Sequence, residues 1–191
     1  QFHPGRLERL LTDEIFVYAD VPYDIKPYED LLNDPRKSIT FNIDRERKIE
    51  TREMSLGYDG KYVVDRTGGI CRANLGEKLL VPLLAKVCNF IPGAGFWINT
   101  QRPEWNDANN ALAGYGVSVV TLCYARRYVA FFRDLLANSG TEELQLNAEV
   151  SDWFDAVRTG LTETSSVLSA NEITDVDRKL ILDRLGAAAE R

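Results

Sequence analysis

The longest helical pattern in the chain, Val117 to Asn138, restricts the fold more than any other feature. Its large apolar residues fall on well over half of the helix circumference: Leu122, Tyr124, Tyr128, Phe131, Phe132, Leu135 and Leu136. A helix that is apolar on so many sides has to be covered by more than one neighbour. We therefore expect this helix to be buried on more than one side within a helical domain.

The rest of the second half also has the periodicity of helices, whereas the first half has only a short helical pattern at residues 6–11 and a turn or two at residues 28–32. Further helical patterns are predicted over residues 75–90, 141–159 and 171–185, the last one capped by Asn171 or Thr174. Residues 75–190 should therefore form a helical part of the chain.

Short mixed elements are predicted in the first half. Ile39, Phe41 and Ile43 alternate with polar residues, which is typical of a half-buried strand, and residues 38–67 are predicted to be a β-rich insertion. The charged run from Arg45 to Glu53 should be a solvated face of a strand or a helix. The predicted fold class is therefore mainly α, with a small β-rich segment in the N-terminal half; the alternative is α+β.

The overall composition excludes several classes of partner. With 191 residues, of which 45% are hydrophobic, the chain suits one domain or a fragment of one. The net charge of −6 and the scattered Lys and Arg residues argue against nucleic acid or an anionic membrane as a partner. No segment approaches the ~20 apolar residues of a membrane helix. Neither GxGxxG nor GKS/T occurs, and no cofactor is expected.

The cysteines and the single histidine limit the chemistry further. Cys71, Cys88 and Cys123 form no CxxC pair, which suits a reducing compartment, and we expect a cytoplasmic protein. His3 is the only histidine, so no His-rich metal site can be built and no metal is expected. The first residue is Gln1 rather than Met, which suggests a processed chain or a piece of something longer.

The residues with the clearest chemical potential lie between Asn99 and Gly116. This polar stretch separates the apolar run Phe96-Trp97-Ile98 from the long helix. Its amides, Asn106, Asn109 and Asn110, supply paired donors and acceptors for sugar hydroxyls, and its carboxylates can move a proton if burial raises their pKa. A capped helix start without any ligand is the structural alternative.

Trp105-Asn106-Asp107, followed by Ala108-Asn109 and a long apolar helix, resembles a motif of known enzymes. These are the inverting glycosidases and glycoside phosphorylases built on a six-hairpin α/α toroid, in which the cellobiose- and chitobiose-phosphorylase branch has Trp-Asn-Asp-Gly. The resemblance implies that Asp107 is the general acid, that Asn106 orients it or a sugar hydroxyl, and that Trp105 forms a wall of the sugar pocket. Glu104 and Ala108 depart from the pattern, where these enzymes have Asp and Gly.

The fold and partners implied by this resemblance follow from the known enzymes. The chain would contribute helical hairpins to a partial toroid, since a complete toroid needs roughly twice this length, and the rest of a larger polypeptide would supply the remainder. An oligosaccharide would be the substrate, with phosphate as a further ligand if the bond is cleaved by phosphorolysis.

Supporting roles can be assigned to the neighbouring residues. Burial against Trp105 and Trp97 would raise the pKa of Asp107, because desolvation favours the neutral acid. Glu104 is a second catalytic candidate, although on a helix it would lie on nearly the same side as Asp107 and could not act from the opposite face. Arg102 would either pair with Glu104 or hold a phosphate or carboxylate. The alternative functions are a non-enzymatic helical interaction module and a sugar-binding module.

Overall fold

The computed structural model describes residues 5–99 and 111–190. Within these ranges the helices are α1 (Arg6–Thr12), α2 (Tyr28–Asn33), α3 (Ile43–Leu56), α4 (Leu75–Val87), α5 (Val119–Ala137), α6 (Ala148–Glu163), α7 (Ser165–Leu168) and α8 (Asp175–Ala188), with a 3-10 helix at Gly57–Lys61. The strands are β1 (Phe16–Val17), β2 (Tyr23–Ile25), β3 (Ile39–Phe41), β4 (Arg72–Ala73), β5 (Phe90–Ile91), β6 (Gly95–Trp97) and β7 (Val117–Ser118).

The strands form three small antiparallel sheets, β1–β4, β2–β3 and β5–β6–β7. The fold is therefore mainly α with a small β part, as the sequence predicts. Within the described ranges, no helix combines the length and the apolar character needed to cross a membrane.

The main hydrophobic core lies between α4, α5, α6 and α8. Its buried members are Leu80, Leu84, Cys88, Phe132, Val157, Ile181, Leu185 and Ala188. Cys88 is buried there, and burial raises the pKa of its thiol to about 11. The indole N–H of Trp153 donates a hydrogen bond to its sulfur at 3.3 Å, which partly opposes this rise. This cysteine therefore packs as a small apolar residue, as a structural cysteine does.

Side chains of the N-cap residues fix where the helices begin. Asn42, Asn74 and Ser118 each accept a hydrogen bond from the backbone N–H three residues later, at the starts of α3, α4 and α5. Thr174 caps α8 and forms a reciprocal capping box with Asp177. Of the two caps predicted for the last helix, Thr174 is therefore the one used.

Residues 38–67 differ from the expected β-rich insertion. They contain the strand β3, but their longest element is helix α3. Residues of high helix propensity dominate the charged run, and the Asn42 cap starts the helix ahead of it. The charged run is also not fully solvated. Arg45 and Arg52, two helical turns apart, form ion pairs with the almost fully buried carboxylate of Asp20 at 2.6 and 2.5 Å.

Two predictions about the later helices were also wrong in part. The helix expected from Thr141 begins instead at Ala148, because the preceding backbone bonds to α4: Asn74 donates to the carbonyl of Gln145, and the backbone N–H of Asn147 donates to Glu77. Helix α5 occurs where expected, but the described residues cover only one of its sides. Phe132 is buried, whereas Phe131 is 55% exposed.

Leu185 provides a test of this core. Its side chain is 0% exposed, so Leu185→Ala should lower the free energy of unfolding by about 2–5 kcal/mol through lost burial and the cavity left behind. Chemical denaturation followed by circular dichroism measures this change. Leu180→Ala, on the same helix with a side chain 42% exposed, is the matched control and should cost less than about 1 kcal/mol. Equal losses in the two variants would contradict the packing.

Candidate functional site

Most of the predicted site residues lie outside the described part of the chain. These are the catalytic candidates Glu104 and Asp107 and the binding candidates Arg102, Trp105, Asn106, Asn109 and Asn110. Trp97 is the one predicted site residue within the described ranges. The candidate site is therefore approached through Trp97 and through the residues on either side of positions 100–110.

Trp97 occupies a fixed position at the end of β6. It pairs with Val117 of β7, its backbone N–H donates to Asn89 at 2.8 Å, and its indole N–H donates to the carbonyl of Gly114 at 3.2 Å. The side chain is half-buried. Because both its backbone and its indole N–H are bonded, the ring has one defined orientation beside the flanks of the polar stretch.

The two flanks of positions 100–110 are held together by backbone hydrogen bonds. Ile98 donates to the carbonyl of Gly116 at 3.0 Å, and Gly114 donates to the carbonyl of Ile98 at 2.6 Å. On the N-terminal side, the side-chain amide of Asn99 donates to Asn89 at 2.6 Å. The chain therefore leaves β6 and enters β7 at the same end of the sheet.

Gly114 also anchors the C-terminal flank against the segment before β3. It has a φ of 85°, and a Cβ at this position would lie 2.4 Å from the ring of Pro35. Only glycine tolerates both the backbone conformation and the close approach. Next to it, the guanidinium of Arg36 lies 5.2 Å from the centre of the Tyr115 ring, a cation–π distance.

Arg36 belongs to a positively charged hollow beside this flank. The hollow has a volume of about 570 Å³, and Lys26, Arg36 and Lys37 line it together with residues 38–41 of the β2–β3 sheet. Lys37 is paired with Asp34 at 3.5 Å, whereas Arg36 makes no ion pair within the described ranges. Among the described residues, no carboxylate lines the hollow, although the chain carries a net charge of −6. Such a surface can attract a small anion.

A buried carboxylate that the sequence analysis did not single out lies at the start of α4. Glu77 is 1% exposed. Its oxygens accept hydrogen bonds from the Tyr18 hydroxyl at 3.0 Å, from the Asn147 backbone at 2.7 Å and from the Asn147 side-chain amide at 2.9 Å. Asn74 and Glu77 have the spacing of a capping box, which is the signal that could have indicated a structural role.

The Glu77 carboxylate affects the pKa values of Tyr18 and Lys78. Burial, together with the hydrogen bond to Glu77, raises the pKa of Tyr18, so its hydroxyl remains a donor. The ammonium of Lys78 lies 3.8 Å from the centre of the Tyr18 ring and donates to the carbonyl of Val17. Burial lowers the pKa of Lys78, although the charge of Glu77 opposes this shift. Because Glu77 is bonded to protein donors through both oxygens, its role here is to join three segments.

Metal ligands are not gathered anywhere in the described part of the chain. No group of three or more His, Cys, Asp or Glu side chains there could hold a metal ion. In comparisons with known proteins, the chain matches no family model and has no significant match among curated proteins. Interpretation of the site therefore depends on the residues themselves.

Replacing Glu77 with glutamine tests the structural role of this carboxylate. In Glu77→Gln, an amide –NH₂ replaces one acceptor oxygen and faces a protein donor, so we expect a loss of about 1–3 kcal/mol in the free energy of unfolding. Urea denaturation measures the loss. Glu142→Gln, at an exposed position in the adjoining segment, removes the same charge and should change stability by less than about 0.5 kcal/mol. If the two variants were equally stable, the network would not join these segments.

Proposed function

We propose that this chain is a carbohydrate-active segment that cleaves a glycosidic bond with inversion, with Asp107 as the general acid. The observation that carries the proposal is the Trp105-Asn106-Asp107 sequence, which resembles the acid-bearing motif of six-hairpin glycosidases and glycoside phosphorylases. Inversion requires an acid that protonates the departing oxygen and a nucleophile on the opposite face of the sugar. An aspartic acid beside an indole has the chemistry for the first of these roles.

The frame around the motif supports this assignment. A general acid acts only when it is held at hydrogen-bonding distance from the leaving oxygen. Here the residues before and after positions 100–110 are joined through Ile98, Gly114 and Gly116, at the start of the longest helix of the described ranges. Trp97, with its indole bonded to Gly114, supplies a fixed aromatic ring beside these flanks.

Phosphate is the nucleophile that we favour over water. The described lining of the hollow contains the cations Lys26, Arg36 and Lys37 and no carboxylate, and Arg36 contacts Tyr115 in the C-terminal flank of the motif. Phosphate attacking from the opposite face would replace the catalytic base that hydrolysis requires. Glu104 then need not act as that base, and Arg102 becomes a further anion ligand within the motif.

The proposal also covers the parent polypeptide and its cellular location. The helices of this chain would belong to a toroid of helical hairpins whose remainder lies in a larger polypeptide. A cytoplasmic location accords with Cys71, Cys88 and Cys123, all of which are free thiols. The alternatives are a sugar-binding module without catalysis and a non-enzymatic helical interaction module.

The first test of the catalytic proposal is Asp107→Asn. Cellobiose and chitobiose are supplied with and without inorganic phosphate, and release of free sugar and sugar phosphate is followed. Loss of the general acid should reduce turnover by about 10²–10⁴-fold. Sugar affinity, measured by tryptophan fluorescence, should change little, since the amide preserves the shape of the side chain. Asp59→Asn, an exposed aspartate far along the chain from the motif, is the control and should keep full activity.

The same measurements distinguish the alternatives. Sugar binding by the wild-type chain without turnover would favour the sugar-binding module. If the full-length polypeptide showed neither sugar binding nor turnover, the carbohydrate proposal would be contradicted and the interaction module would remain. Full activity of Asp107→Asn would exclude Asp107 as the acid while keeping the substrate class.

Arg36→Gln tests phosphate as the nucleophile. Removing one charged donor to a phosphate oxygen should raise the KM for phosphate by about tenfold or more, since a hydrogen bond to a charged group is worth about 1.5–3 kcal/mol. The KM for the sugar should stay the same. Arg66→Gln, an exposed arginine in a turn outside the hollow, provides the matched control. A reaction that proceeds equally well without phosphate would favour hydrolysis instead.

A further inference from the structure

The uncovered side of α5 forms an apolar groove with α4. The groove has a volume of about 560 Å³, and its apolar lining includes Pro82 and Leu83 of α4 and Tyr124, Tyr128 and Phe131 of α5. Tyr124 is 64% exposed, and Phe131 is 55% exposed. Isolated apolar residues are common on protein surfaces, but a contiguous patch of this kind marks an interaction site.

The groove has the shape that a third helix would fill. Apart from Arg127, its lining residues on α5 form one continuous row at helical spacing: Thr121, Tyr124, Ala125, Tyr128 and Phe131. This row covers roughly 15 Å along the helix axis, or about ten residues of a partner helix. α4 forms the opposite wall, and two adjacent helices present ridges between which another helix can pack. The Tyr128 hydroxyl donates to the carbonyl of Leu79 at 2.8 Å, which holds its ring in place.

The charge of the groove selects the chemistry of its occupant. Lys86 and Arg127 line it, and none of the described residues that line it is a carboxylate. Neither cation makes an ion pair within the described ranges, and Arg127 contacts the ring of Tyr124 at 6.0 Å. In a chain with a net charge of −6, this groove is therefore a locally basic apolar surface. Acidic residues along the edges of a bound helix would complement it.

A second copy of this chain, bound through the same face, fits these charges less well. A symmetric dimer places the same patch of each subunit against its partner. Lys86 and Arg127 of one copy would then approach the identical cations of the other, and the described lining of either groove supplies no carboxylate to separate them. Like charges placed together across an interface oppose association.

We propose that the groove between α4 and α5 docks an amphipathic helix of a partner polypeptide, with acidic residues along its edges. Apolar side chains of the helix, spaced at i, i+3, i+4 and i+7, pack between Leu83, Tyr124 and Phe131. Aspartates or glutamates beside them reach Lys86 and Arg127. The proposal does not depend on glycosidic-bond cleavage, because none of these residues belongs to the proposed catalytic stretch or to the positively charged hollow.

A library of amphipathic helical peptides tests this proposal on the whole chain. The apolar positions are fixed at the helical spacing, and the polar positions are varied among Asp, Glu, Gln, Lys and Arg. Selection should enrich Asp and Glu at the positions flanking the apolar stripe. For the best peptide, replacing its acidic residues with lysine should weaken binding, measured by fluorescence anisotropy, at least about tenfold.

Variants of the protein then assign the binding to the groove. Phe131→Ser should weaken the acidic peptide at least about tenfold, and Arg127→Glu should shift the preference toward the lysine-containing peptide. Both substitutions are at exposed positions, so circular dichroism should report an unchanged fold. Val176→Ser, at an exposed valine of α8, is the control and should leave binding unchanged.

Several results would overturn the proposal. These are a selection that enriches no peptide, or one that enriches neutral or basic peptides, and acidic-peptide binding that is unaffected by Phe131→Ser and Arg127→Glu. Self-association that Phe131→Ser abolishes would identify a second copy as the occupant. Binding of vesicles of anionic lipid with the same sensitivity would identify a membrane surface instead.

Discussion

The burial of one apolar face of α4 is the interaction on which the rest of the described structure depends. Leu80 and Leu84 lie on this face, among the core residues contributed by α6 and α8. At the N-terminal end of the helix, Glu77 binds Tyr18 and Asn147, so the same element also joins the strand region and the segment before α6. The apolar and polar contacts of α4 therefore fix both the later helices and the earlier strands.

This arrangement places the two flanks of the candidate site at one end of the β5–β6–β7 sheet. The β5–β6–β7 sheet follows α4 directly, and its last strand leads into α5. The residues that flank the polar stretch are therefore held by backbone pairing on a structured base. A short polar motif needs such support if its side chains are to act on a substrate, because small displacements of a catalytic group reduce its effect strongly.

The two surfaces that we assign to ligands are both locally positive, but their linings differ. The positively charged hollow has a mixed polar and apolar lining that includes Lys26, Arg36 and Lys37, beside the β2–β3 sheet. The groove between α4 and α5 is mainly apolar, with Lys86 and Arg127 among its lining residues. In a chain that is acidic overall, both surfaces concentrate positive charge, which would guide negatively charged ligands to them.

The sequence by itself determined the helical second half and the position of α5, and it limited the cap of the last helix to Asn171 or Thr174, because these follow from local periodicity and capping chemistry. It also made Trp105-Asn106-Asp107 the leading candidate site. Only the tertiary structure decided which side of α5 is covered, that Asn147 bonds to Glu77 and thereby delays the start of α6, and that Arg45 and Arg52 turn toward Asp20. The reason is that each of these outcomes depends on residues distant in sequence, and neither propensity nor spacing records which distant surface will meet a given side chain.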